Sequence, residues 1–260
     1  MISPSLASSI TPSIIYTATL ENKKFIDREN YFDQIKEKLS SCGFVALVGA
    51  PQVGKSLTAI QYYHNSNWGL YEAPVYFDAT TEKTFIKKYK EFAWLQGIIP
   101  DITPVTPRVN LILINKINEY LRVNPFLFIF DNVPAEESWI EKYLPESSKT
   151  HVIIVSRNPI SMSYVPTVEI KPFTRDDSLA YIKKNLNKKC YGDSVQNAFS
   201  QADELACRLK DSPVHLEKAI NDMNSCLISI SEYLELFPVR NSVSSHNQWQ
   251  KSVPSVSISF

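Results

Sequence analysis

From about Phe25 the chain alternates short, unbroken apolar runs with longer stretches whose apolar residues recur every three or four positions. The runs Phe44–Val48, Val75–Asp78, Phe126–Asp131, His151–Ser156 and Val168–Ile170 read as strands buried on both faces. The periodic stretches predict helices over Tyr31–Leu39, Lys55–Tyr63, Glu82–Leu95, Val109–Leu121 and Glu136–Tyr143. Strands that alternate with helices predict a parallel sheet covered by helices. The segment from Gly97 to Pro107 carries three prolines and cannot continue a helix, so it reads as a loop or surface crossing.

After Pro172 no strand pattern returns. Thr174–Leu186, Ser194–Leu209, Pro213–Met223 and Ile230–Leu236 all carry helical spacing, which predicts a small all-α unit behind the α/β unit. Four segments follow: a serine-, threonine- and proline-rich arm over 1–20, an α/β domain over 21–172, a helical subdomain over 173–237, and a serine- and valine-rich stretch over 238–260. At 260 residues the chain has length for two packed units.

Composition narrows the partners. Lysine plus arginine and aspartate plus glutamate each number 27, so no global field draws the protein to nucleic acid or an anionic membrane. No stretch approaches the ~20 apolar residues of a membrane span, and the first twenty residues hold no lysine or arginine, so they lack the parts of a secretory signal. The four cysteines, Cys42, Cys190, Cys207 and Cys226, have no CxxC spacing and read as reduced core thiols. A cytosolic location is the expectation.

The chemistry concentrates in GAPQVGKS, which sits between an apolar strand and a helix, as the GxxxxGK[ST] pattern requires. Gly49 and Gly54 allow the backbone of Gly49, Ala50, Pro51, Gln52 and Val53 to turn its N–H groups inward, and the helix that begins at Lys55, Ser56 and Leu57 adds its positive end. Lys55 can reach the β- and γ-phosphates, and the Ser56 hydroxyl can join a Mg2+ shell.

A phosphate loop also needs an acid at the end of another buried strand, and FLFIFD supplies Asp131. From the residues alone two roles stand for it: a magnesium partner, or a cap for the turn that holds Asn132 and Pro134. Likewise HVIIVSRN delivers Arg157 to a strand end, either to read a γ-phosphate or to pair with a surface carboxylate.

From Phe25 to Phe237 these motifs resemble the NB-ARC branch of the STAND class of P-loop NTPases, of the type followed by tetratricopeptide repeats. FIDRENYFDQIKEKL is similar to its opening segment, GAPQVGKS to its Walker A loop, IFDNV to its Walker B strand, VIIVSRN to its sensor strand, and DSPVHLEKAI to its Gly-Leu-Pro-Leu helix start. The resemblance implies a P-loop NTPase sheet with the sensor strand between the two Walker strands, followed by a helical subdomain. It implies ATP or ADP with Mg2+ as ligand, Phe25, Ile26, Arg28 and Pro213 beside the adenine, and Lys55, Asp131 and Arg157 around the phosphates. A protein partner of unspecified kind, self-association included, is expected from such a switch.

Departures from the family pattern bear on activity. Asn132 follows Asp131 where a second acid is frequent, and an amide takes no proton from water at neutral pH. Asp211 and Ser212 stand where Gly-Leu would, and His215 replaces an apolar residue. NQWQKSVPSVSISF resembles the linker and first residues of a winged helix, which suggests a truncated form. The expected function is a nucleotide-binding signalling switch with slow or no hydrolysis; an active P-loop ATPase and a remnant that only binds nucleotide are the alternatives.

Overall fold

Five parallel strands form one sheet: β1 (Phe44–Val48), β2 (Pro74–Asp78), β3 (Leu127–Asp131), β4 (His151–Val155) and β5 (Thr167–Glu169), in the spatial order β2-β3-β4-β1-β5. This is a computed structural model that describes residues 28–66, 69–71, 74–100, 107–136, 138–191 and 195–237. The arm over 1–20, Phe25, Ile26 and the stretch over 238–260 lie outside the described residues. β4 lies between β1 and β3, the order implied for the sensor strand.

Strand periodicity divides the core into two layers. Leu127, Ile129, Val45, Leu47 and Ile153 face α1 (Glu29–Cys42) and α2 (Lys55–Ser66). Phe128, Phe130, Ala46, Val48 and Ile154 face α3 (Glu82–Leu95) and α4 (Pro107–Leu121). The second layer is aromatic: the Phe77 ring lies 5.1–5.4 Å from those of Phe85, Phe128 and Phe130, two of them edge-on, as ring quadrupoles prefer. Local signals agree with this packing. Gly43 ends α1 in the left-handed conformation, and a Thr81–Thr84 capping box opens α3.

The helical subdomain comprises α5 (Arg175–Asn185), α6 (Val195–Arg208), α7 (Pro213–Cys226) and α8 (Ile230–Leu236) around Tyr181, Ile182, Leu205, Leu216, Ile220 and Met223. Arg175 ties it together with a bidentate pair to Asp211, at 2.9 and 3.0 Å, and a third contact to Asp203 at 2.9 Å. No helix among the described residues is long and apolar enough to cross a membrane.

Two expectations need correction. The helix over Glu136–Tyr143 is a six-residue 3₁₀ helix, Ser138–Tyr143, confined between Pro134 and Pro145, and a second one, Lys188–Tyr191, has no clear periodic signal. Of the four cysteines Cys190 alone is in the core; Cys42, Cys207 and Cys226 are exposed at the surface of helices, and all four are unpaired.

Candidate functional site

β1 runs out at Val48, and the loop from Gly49 to Gly54 turns the chain into α2 beneath it. Gly49 sits at φ 147°, and a Cβ there would lie 2.3 Å from the Ile170 carbonyl oxygen, so a side chain has no room. Gln52 and Gly54 are left-handed as well, at φ 67° and 90°. The backbone N–H groups of Val53, Gly54, Lys55 and Ser56 have no acceptor among the described residues. Consecutive free donors at a helix start form a cradle for an anion.

Lys55 is buried and folds back over this loop, its ammonium donating to the carbonyls of Gly49 and Ala50, both at 2.8 Å. Burial lowers its pKa; Asp131 acts in the opposite sense, and Arg157 adds to the lowering. Lys55, Asp131 and Arg157 thus stand at one sheet edge. Ser56 Oγ donates to Asp131 Oδ1 at 2.9 Å, and the Asn132 N–H donates to the same oxygen at 3.0 Å. Asp131 Oδ2 accepts from the Tyr76 hydroxyl on β2. A serine hydroxyl on a carboxylate, beside a phosphate cradle, is a donor set that suits Mg2+.

The sheet register explains why these groups meet. β3 and β4 leave the sheet together: the Val133 N–H donates to the Val155 carbonyl at 2.9 Å, Ser156 Oγ to the Val133 carbonyl at 2.8 Å, and the Ser156 N–H to the Leu47 carbonyl at 3.0 Å. Arg157, the next residue, is exposed and lines a hollow of about 630 Å³ with Val48, Gly49, Ala50, Pro51 and Glu169. Asp78 pairs with Asp131 across β2 and β3, but its carboxylate is engaged by Thr80 at 2.5 and 3.0 Å. Asn132 is exposed at φ 61°, and Glu136 is exposed beyond the turn.

The helical subdomain closes the other side of the loop. Pro213, buried at the first position of α7, lies 3.8 Å from where a Gly54 Cβ would stand, and Ser212 Oγ donates to the Gln52 carbonyl at 3.0 Å. His215 is exposed on α7. Arg28 is buried between the subdomains, its guanidinium 4.8 Å from the Phe173 ring and 5.6 Å from the Tyr31 ring. Its two terminal nitrogens have no hydrogen-bond partner among the described residues, and burial lowers its pKa against the opposing pull of Tyr31 and Asp177. Leu57 lies half-buried in the first turn of α2, and Val53 is packed in the core.

Thus the structure brings Gly49–Ser56, Asp131 and Arg157 to one edge and sets Pro213 against the loop, while Arg28 lies at the subdomain junction. Sequence reasoning missed Tyr76 and the Ser212 contact. In PVYFD, Tyr76 looks like any aromatic strand residue, and nothing in the spacing marks its hydroxyl as a partner of Asp131.

The NB-ARC domain pattern matches residues 28–190. No curated protein sequence matches the chain. Among solved structures, a Walker-type ATPase of Pyrococcus abyssi is similar over 81% of this chain and 71% of its own, at 16% identity and a TM-score of 0.54. The Cdc6p structure from Pyrobaculum aerophilum covers 87% of this chain and 67% of its own, at 12% identity and a TM-score of 0.48. The AAA domain of FIGL-1 in complex with ADP covers 94% and 93%, at 11% identity and a TM-score of 0.47. At 16% identity the first of these speaks for the fold alone, a P-loop NTPase sheet, whereas the domain pattern spans more than half of the sequence: the chain belongs to the NB-ARC family and is a nucleotide-binding module of the P-loop type.

Proposed function

We propose that the chain is an adenine-nucleotide switch of the STAND type, which holds ADP or ATP with Mg2+ between its α/β and helical parts and turns it over slowly or not at all. The observation that carries this reading is the row of free N–H groups at Val53–Ser56, flanked by Lys55 and faced by the Ser56–Asp131 pair. In it, the backbone cradle and Lys55 hold the phosphates, and Ser56 and Asp131 hold the magnesium. Bound Mg2+ supplies charge neutralisation between the phosphates. Arg157 reads a γ-phosphate from the β4 end, and Arg28, Pro213, Phe25 and Ile26 form the adenine side. The two unpartnered nitrogens of the buried Arg28 favour a ligand with acceptor atoms at that junction.

Slow turnover is favoured by the chemistry next to Asp131. Asn132 has no basic atom, Asp78 is held by Thr80, and Glu136 is exposed past the turn. That none of these three side chains is placed to orient water favours holding nucleotide over cleaving it. The unpaired cysteines favour a reducing compartment and hence a cytoplasmic switch. A protein partner, a second copy included, would receive the change in subdomain arrangement.

The test is turnover measured beside binding. With ATP and Mg2+ at saturation, hydrolysis stays below about one per minute, well under the ~10 per second of a typical enzyme, while ADP and ATP each bind. Rapid, sustained turnover would establish the active ATPase instead.

A further inference from the structure

Ser212 precedes α7 and occupies the N-cap position, where a serine hydroxyl ordinarily accepts a backbone N–H of the helix's first turn. Here it makes no such cap. Its Oγ donates instead to the Gln52 carbonyl at 3.0 Å, a bond that spans 160 residues and joins the helical subdomain to the phosphate loop. Ser212 is 8% exposed while Gln52 is exposed, so the bond is sheltered on the side of the helical subdomain.

The acceptor matters. Gln52 is a non-glycine residue held at φ 67°. A peptide unit is planar, with its C=O and N–H pointing in opposite directions. Fixing the Gln52 carbonyl towards Ser212 therefore fixes the direction of the Val53 N–H, one of the donors with no acceptor among the described residues. Neighbouring contacts hold Ser212 in place to do this. Pro213 packs against Gly54, and Asp211 is clamped by Arg175 while its carbonyl accepts the Phe173 N–H at 3.0 Å.

We propose that Ser212 is a positioning residue for the phosphate loop: its hydroxyl sets the Gln52–Val53 peptide in the anion-accepting orientation and ties that orientation to closure of the helical subdomain. This inference rests on the nucleotide-binding reading. Binding of phosphate and docking of α7 thereby favour one another, as two events that share one peptide orientation must.

The experiment measures binding of ADP and of inorganic pyrophosphate to the full chain by calorimetry, for the unsubstituted protein, Ser212→Ala, and the pair Ser212→Thr and Ser212→Val. The last two share a shape and differ in the hydroxyl. Loss of one hydrogen bond predicts about five-fold weaker binding for the Ala and Val forms and a Thr form within about two-fold of the original. Pyrophosphate should weaken as much as ADP, because the peptide meets phosphates and not the base. Val and Thr forms of equal affinity would overturn the proposal, as would an Ala form that loses melting temperature but not affinity, or one that weakens ADP while leaving pyrophosphate unchanged. If the Ala form does not fold, the Thr and Val pair decides. Absence of binding by the unsubstituted protein would sink the nucleotide reading and the proposal with it; tight binding unaffected by Ser212 sinks the proposal alone.

Discussion

The Lys55 ammonium touches two carbonyls of its own loop, Gly49 and Ala50, beside N–H groups with no acceptor among the described residues. A phosphate arriving there takes over an ammonium that is already desolvated, which makes the charge-assisted contact strong. Lys55→Ala should therefore abolish most of the nucleotide-induced rise in melting temperature, and a rise equal to that of the original protein would contradict the assignment. Arg157 differs because it is exposed at a strand end. Arg157→Ala should weaken ATP by roughly ten-fold or more, the scale of a charge-assisted hydrogen bond, and leave ADP within about two-fold; equal losses would refute a γ-phosphate role. Gly49 is constrained by backbone rather than ligand. Gly49→Ala puts a methyl 2.3 Å from the Ile170 oxygen at a φ of 147°, and the expected loss is at least ~2 kcal/mol in chemical denaturation.

β3 carries both core and candidate site. Its phenylalanines enter the aromatic layer and its last residue, Asp131, meets Ser56 of the phosphate loop. Phe77, on the paired strand β2, touches Phe85, Phe128 and Phe130, and Phe77→Ala should cost about 3–5 kcal/mol, the usual range for a buried aromatic. The α5–α6–α7 junction adds an ion-pair network to its apolar core. Hydrogen bonds from Arg175 hold the Asp211 carboxyl below its ordinary pKa, and those to Asp211 and Asp203 raise the Arg175 value. A carboxyl depressed in the folded state contributes stability in full above its unfolded pKa of about 3.9 and loses it as pH falls through the folded value. Asp211→Asn should accordingly lower stability at neutral pH, by an amount that shrinks as pH falls below the unfolded value of about 3.9 and through the folded one; a constant loss at every pH would contradict this.

The strands were legible because they are buried on both faces: continuous apolar runs such as FVALV and FLFIF have no competing helical spacing, and the observed boundaries differ from the expected ones by one residue at most. Glu82–Leu95 was legible to both ends because Thr81 caps one and Gln96–Gly97 breaks the other. The phosphate loop is a contiguous motif and was read whole. What stayed hidden depends on pairs far apart in sequence. Tyr76 with Asp131 and Ser212 with Gln52 are set by sheet register and subdomain docking, which no local period encodes. Three cysteines were misplaced because their helices show them to water at positions where a small apolar residue would be equally tolerated.

At the scale of the whole molecule, the α/β body and the helical subdomain meet over the proposed ligand. Arg28 stacks on Phe173, the Lys171 N–H donates to the Tyr31 hydroxyl at 3.2 Å, and Ser212 reaches Gln52 at 3.0 Å. A nucleotide held between the two parts would add its own contacts to these. Whatever binds the folded form alone stabilises it by about 2.7 kcal/mol at one hundred times its dissociation constant. For a chain of this size that is a rise of about 5–10 °C in melting temperature. The most direct test of the central claim is therefore thermal unfolding of the full chain with ADP, with ATP and Mg2+, and with neither. The account predicts a saturable rise of that order with either nucleotide, and an unchanged melting temperature in both would contradict it.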